Sequence, residues 1–177
     1  VSDTSHRLPG DVRPRRYELS LEPDLGAATF TGRVGIDVSV GVATDRIVLH
    51  ALDLAITSAT VDGLDAEVSL DADQETATLT LPRRWDIGPA RVELEFIGEL
   101  NDQLVGFYRS TFAGEDDPVS GTPVEHTLAV TQFESTHARR AFPCFDEPAM
   151  KAVFSISLVV PADQFVVANT AEVAREP

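Results

Sequence analysis

Residues 30–42, FTGRVGIDVSVGV, alternate between apolar and polar side chains, and this alternation constrains the fold more than any other feature of the chain. A period of two places successive side chains on opposite faces of an extended strand. The first face carries Phe30, Gly32, Val34, Ile36, Val38, Val40 and Val42, and the second is mainly polar. The pattern therefore predicts a long antiparallel strand that packs its apolar face, as far as Val42, against a core.

Similar alternation recurs along the chain between short turn-forming segments. Asp62-Gly63 is a favoured hairpin turn, the polar stretch 113–125 predicts an exposed loop, and only residues 145–152 could form a short helical turn, with Asp146 as its cap. Further strands are predicted at 17–22, 46–51, 54–61, 77–82, 91–98, 126–133, 152–160 and 165–168. Many short strands without a linker or a repeat predict a single all-β domain over residues 1–177, an antiparallel β-sandwich.

The charge and the cysteine content exclude several classes of partner. The chain carries 29 acidic and 14 basic residues, a formal net charge of −15, so we expect neither nucleic acid nor an anionic membrane as a partner. No apolar run approaches the roughly 18–20 residues that span a bilayer.

The lone Cys144 allows no internal disulfide and no cysteine-based zinc site, and we expect it to be buried. Together with the lack of an apolar signal segment, this favours a cytoplasmic location.

The segment TQFESTHARRAFPCFDEP, residues 131–148, concentrates more functional side chains than a strand or a turn requires. If the strand continues to its end, Gln132 and Glu134 share one face, while Phe133 anchors the other face in the core. An amide oxygen beside a carboxylate suits a cation with several N–H donors, such as the free α-amine of a peptide. The alternative is that Glu134 pairs with a nearby arginine and that Gln132 is an ordinary solvated residue.

The charged residues that follow also leave two alternatives open. Arg139 and Arg140 either clip this loop to Asp146 and Glu147, or they dock a neighbouring domain. Two adjacent acids without a nearby histidine suit no transition metal. None of the histidines forms a His-x3-His pair, and neither a G-x-S-x-G motif nor a phosphate-binding loop is present. The motifs of the chain therefore predict no complete catalytic site.

The segment from 131 to 154 closely resembles the N-terminal domain of the aminopeptidase N family of zinc metallopeptidases. The resemblance extends over about residues 8–170, because four further motifs follow the order that is typical of the family. These motifs are LPGDVRPRRYELSLEPDL, FTGRVGIDVSV, IVLHALDLAI and GFYRS.

The resemblance implies a saddle-like β-sandwich that packs on a downstream, thermolysin-like catalytic domain. In that family the catalytic domain supplies the zinc, and the two domains together remove single residues from the N-termini of peptides. Gln132 and Glu134 match the family's Gln-x-Glu, which contacts the N-terminal residue of the substrate, and the glutamate helps to hold the free amine. The expected partners are therefore a peptide substrate and the protein's own catalytic domain.

The chain lacks the HExxH motif, an assignable third zinc ligand and the G-x-M-E-N loop of that family. We therefore expect no catalytic zinc and no peptide cleavage in this fragment alone. The first alternative is a non-catalytic relative that acts as a protein-interaction scaffold, and the second is an unrelated β-sandwich binding module. The segment 131–148 argues against the second, and the presence of Gln132 and Glu134 favours the peptidase over the scaffold.

Overall fold

The computed structural model describes residues 7–176, in which eleven β-strands and one short 3-10 helix form an all-β domain. The predicted fold class is therefore confirmed. The strands are β1 (Val12–Asp24), β2 (Thr29–Val40), β3 (Thr44–His50), β4 (Leu54–Val61), β5 (Leu64–Asp65), β6 (Glu67–Asp71), β7 (Thr76–Trp85), β8 (Gly88–Glu99), β9 (Gly106–Asp116), β10 (Pro123–Gln132) and β11 (Val153–Leu158), and the 3-10 helix is Ala138–Arg140. Within residues 7–176, no helix is long and apolar enough to cross a membrane.

The strands form three sheets. A six-stranded sheet has the order β11-β1-β2-β8-β4-β5, a three-stranded sheet has the order β3-β7-β6, and β9 pairs with β10 as a separate two-stranded ribbon. Neighbouring strands are antiparallel, except that β11 runs parallel to the adjacent β1. In β2, β7 and β8 the alternation turns one row of buried side chains toward the other layer, as a sandwich requires.

The core lies between the six-stranded and the three-stranded sheets. Ile36 of β2, Val92 of β8, Leu49 of β3 and Leu79 of β7 are all fully buried in one hydrophobic cluster. Removing such apolar surface from water is the main force that holds the two layers together.

The predicted apolar face of residues 30–42 is buried at its five large side chains from Phe30 to Val40, and Gly32 is half-buried, but the prediction for Val42 is wrong. The strand ends at Val40, and the Gly41 N–H donates to the Asp11 carbonyl at 2.6 Å. The Val42 side chain lies beyond this bend and is 58% exposed.

Two other predictions from the alternation pattern are corrected. The loop expected at 113–125 covers only 117–122, because its flanks continue the ladder between β9 and β10. The strand expected at 165–168 does not form, and Phe165 is exposed. A strand needs a neighbour for its backbone hydrogen bonds, and the described residues place none beside this segment. The turn at Asp62-Gly63 is confirmed, with both residues at positive φ between β4 and β5.

Candidate functional site

Gln132 is the last residue of β10 and lies opposite Gly106 of β9 in the ladder. Its side chain is exposed. The next residue, Phe133, is half-buried and packs edge-to-face on Phe142, with the ring centroids 6.0 Å apart. The prediction that Phe133 anchors this end of the strand in the core is therefore confirmed.

Glu134 lies beyond the strand, in a turn that spans residues 134–137. The His137 N–H closes this turn by donating to the Phe133 carbonyl at 2.8 Å, and the peptide bond between Glu134 and Ser135 is cis. Since β10 ends at Gln132, strand alternation does not reach Glu134, and our reason for placing both side chains on one strand face is wrong. What the structure gives is two exposed side chains, two residues apart, at the same end of β10.

The two arginines that follow Glu134 have other partners. The Arg139 Nη1 donates to Glu75 Oε2 at 2.8 Å, and its Nε donates to Asp146 Oδ2 at 3.0 Å. The Arg140 guanidinium pairs with the Asp53 carboxylate. The alternative in which Glu134 is neutralised by one of these arginines is therefore wrong.

The predicted clip between this loop and the following acids is confirmed only in part. Arg139 and Asp146 form it, but Glu147 accepts the Leu8 backbone N–H at 2.5 Å instead. Asp146 does not cap a helical turn, as we had predicted, because its carboxylate serves Arg139. The short turn begins at Glu147, whose carbonyl accepts the Met150 N–H at 2.9 Å.

The Gln132 and Glu134 side chains have no hydrogen-bond or ion-pair partner among residues 7–176. Since both are exposed, their oxygens are free to accept hydrogen bonds from a ligand. Two shallow surface depressions lie elsewhere, one beside β4 and the other beside Arg91 on the outer face of the six-stranded sheet, and neither is lined by Gln132 or Glu134.

The segment that follows the 3-10 helix is fixed to the core by backbone groups. The Phe145 N–H donates to the buried Tyr17 hydroxyl at 3.0 Å, and the Asp146 N–H donates to His50 Nδ1 at 3.2 Å. His50 and Cys144 exchange two backbone hydrogen bonds, of 2.8 and 3.0 Å. Cys144 is buried as predicted, and this burial raises the pKa of its thiol, so the side chain is a neutral packing group.

Sequence reasoning did not find two residues that support this region, Glu75 and Asp53. Both lie in turns far from the segment 131–148, and both adopt positive φ, at 56°. Acidic residues in turns are common, and only the folded chain shows that these two face arginines.

Within the described residues, no group of three or more His, Cys, Asp or Glu side chains could hold a metal ion. The residues of this site therefore do not fit a zinc ion, and the zinc that the family resemblance implies would need ligands from elsewhere.

Comparison with known proteins identifies the family. The sequence profile described as the peptidase M1 N-terminal domain matches residues 13–177. Aminopeptidase M1-C from Oryza sativa subsp. japonica is 43% identical over 166 residues, which is 92% of this chain and 18% of that protein. Alanine/arginine aminopeptidase from Saccharomyces cerevisiae is 41% identical over 157 residues, which is 86% of this chain and 18% of that protein.

Puromycin-sensitive aminopeptidase from Caenorhabditis elegans is 40% identical over 177 residues, which is 97% of this chain and 18% of that protein. The chain thus spans less than a fifth of the length of each of these three relatives. Because both the family profile and the relatives cover nearly the whole all-β domain, the chain belongs to the peptidase M1 N-terminal domain family.

Proposed function

We propose that this chain is the substrate-binding N-terminal domain of a zinc-dependent aminopeptidase that removes single residues from the N-termini of peptides. In this proposal Gln132 and Glu134 bind the free α-amine of the substrate. The observation that carries it is the exposed Glu134 carboxylate beside Gln132, which has no cationic partner in the described chain although two arginines follow closely.

The chemistry of these two side chains matches a terminal ammonium. An ammonium group has three N–H donors and a positive charge, and the carboxylate and the amide oxygen are both acceptors. An internal peptide bond offers no ammonium, so it would leave the carboxylate unpaired once the site is closed to water. Such a loss costs roughly 2–5 kcal/mol, which is enough to select free N-termini.

The proposal assigns the zinc and the peptide-cleaving groups to a catalytic domain outside this chain. The described residues offer no metal ligand set, and the relatives are several times longer than the matched region. The proposal therefore includes inactivity of the 177-residue chain alone.

A candidate surface for contact with the catalytic domain lies on β11. Phe154, Ile156 and Leu158 lie in register with Tyr17, Leu19 and Leu21 of β1, so the three side chains face the core side of the sheet. The residues on β1 are buried, but those on β11 remain 48%, 59% and 38% exposed. We call Phe154, Ile156 and Leu158 the β11 apolar row, and a contiguous row of this kind is typical of a contact surface.

Replacing Glu134 by glutamine in the intact protein tests the amine site, because glutamine keeps the shape and removes the charge. We expect kcat/KM for an aminoacyl p-nitroanilide to fall about 30-fold or more, since a lost charge partner costs at least about 2 kcal/mol. The matched control is Glu95→Gln, because Glu95 is an exposed glutamate that pairs with Arg33 on a different surface. If kcat/KM of Glu134→Gln were similar to that of Glu95→Gln, Glu134 would not be the residue that binds the amine.

The second candidate function is a non-catalytic protein-interaction scaffold, which the exposed β11 apolar row favours. In that case the intact protein would not hydrolyse aminoacyl substrates at any concentration of enzyme. Hydrolysis that depends on Glu134 supports the peptidase and excludes the scaffold as the sole function.

A further inference from the structure

We infer that Arg139 is a positioning residue for the amine site: its buried ion pairs hold the turn that carries Glu134 in place to meet the substrate's ammonium. The inference rests on the proposed function and extends it to a residue that does not touch the substrate. Glu134 is exposed and has no side-chain partner in residues 7–176, so its position depends on the backbone that carries it.

The Arg139 side chain joins segments that are distant in sequence. It is only 8% exposed; its Nη1 binds Glu75, in the turn before β7, and its Nε binds Asp146, in the segment before β11. Its carbonyl also accepts the Leu52 N–H at 3.0 Å, from the connection between β3 and β4. The 3-10 helix is therefore fixed to three other parts of the domain through one residue.

Arg140, the next residue, connects this anchor to β9, which pairs with the strand that carries Gln132. Gly106 has a φ of +69°, and a Cβ built there would lie 2.7 Å from the Arg140 Cβ. Only the absence of a side chain at Gly106 lets Arg140 pack this closely on the ladder. Because Gly106 of β9 is the register partner of Gln132, the helix packs on β9 next to the end of β10, and Glu134 follows two residues after Gln132.

The geometry assigns Arg139 to positioning and not to direct contact. Its Nη1 and Nε each donate to a carboxylate, and the side chain is buried. The charge of Arg139 is also offset by Glu75 and Asp146, so it does not repel an incoming ammonium. Lysine could not replace this arrangement, because a single ammonium lacks the planar fork that reaches two carboxylates in different directions.

A double-mutant cycle in the intact protein tests the inference, with Arg139→Lys and Glu134→Gln alone and combined. We expect Arg139→Lys to raise KM for an aminoacyl p-nitroanilide about tenfold with a smaller change in kcat, as for residues coupled in one network. In the Glu134→Gln background the same change should leave KM unaltered, because no carboxylate remains to be positioned. Arg33→Lys, at an exposed ion pair, is the matched control.

Glu75→Gln is the second variant, because it removes one ion pair while keeping a partly exposed side chain of the same shape. If Arg139→Lys shows no cooperative thermal unfolding and is therefore not folded, Glu75→Gln takes its place in the double-mutant cycle. A KM that stays unchanged in the folded variants would overturn the positioning role. The role would also be overturned if the change raised KM equally in the wild-type and Glu134→Gln backgrounds. If Glu134→Gln itself had no effect, the amine site would fail and the inference with it, whereas a large Glu134 effect that is independent of Arg139 would overturn the inference alone.

Discussion

The Arg139 guanidinium meets carboxylates that lie 64 and 7 positions away in the sequence. Replacing it by methionine keeps much of the volume but leaves Asp146, whose side chain is 16% exposed, without its ionic partner. We expect the free energy of unfolding to fall by about 3 kcal/mol, as is typical when one member of a buried ion pair is removed. Urea denaturation of the protein measures this loss.

The control for this prediction is Arg33→Met, because the Arg33 side chain is 74% exposed and pairs with Glu95 at 2.8 Å. An exposed pair of this kind contributes less than about 1 kcal/mol. Equal losses in the two variants would mean that burial of the Arg139 pairs does not matter to stability.

The ion pair between Glu18 and Arg91 predicts that the stability of the protein falls as the pH is lowered. The Arg91 Nη2 donates to Glu18 Oε2 at 2.6 Å, and this hydrogen bond, with the charge of Arg91, lowers the pKa of Glu18 below its ordinary value of 4.5. A carboxyl with a lowered folded-state pKa stabilises the protein above pH 4.5, and this contribution is lost as the pH falls through the folded-state pKa.

Replacing Glu18 by glutamine should therefore reduce the fall in Tm between about pH 5 and about pH 3. Glu67→Gln is the control, since Glu67 is exposed and has no ion pair among the described residues. A wild-type Tm profile that matched the Glu18→Gln profile over this range would contradict the prediction.

At the scale of elements, β2 and β8 are joined by two reciprocal pairs of a phenylalanine and a glycine. Phe30 lies opposite Gly98, and Gly32 lies opposite Phe96. A Cβ built on Gly98 would lie 2.2 Å from the Phe30 ring, and one built on Gly32 would lie 2.3 Å from the Phe96 ring. Each ring thus occupies the space above the glycine across the ladder, which explains two glycines in the centre of a sheet.

Gly98→Ala should lower the free energy of unfolding by about 1–3 kcal/mol, because the new methyl group must displace a buried ring. Gly10→Ala is the matched change, since a Cβ there meets its nearest atom at an ordinary 3.8 Å. Thermal denaturation of both variants measures the difference, and equal Tm values would show that the Phe30 ring moves aside at no cost.

At the scale of the whole molecule, the β11 apolar row continues the buried face of β1 out to the protein surface. If the catalytic domain covers this row, Ile156→Asp should weaken the contact in the intact protein and lower its Tm. In the isolated chain the same change should reduce self-association, because it removes an exposed apolar side chain from an edge strand. Analytical ultracentrifugation and thermal denaturation measure the two effects, and a Tm of the intact protein that did not change would exclude the row as a domain contact.

Sequence by itself determined the fold class and most strands, because the alternation of side chains is a local property of each segment. It also singled out Gln132 and Glu134, since the TQFE motif and its surroundings are local too. It failed at 165–168, where a strand pattern lacks a neighbouring strand, and at Glu134, where β10 ends before the alternation does.

Only the tertiary structure decided which charges pair. The sequence offered several acids to Arg139 and Arg140, and the fold selected Glu75, Asp146 and Asp53, two of them from distant turns. These pairings depend on which loops the folded sandwich places next to each other. A single sequence does not reveal which of its distant residues will be in contact. The freedom of the Glu134 carboxylate follows from those choices, because the fold gives each nearby arginine another partner.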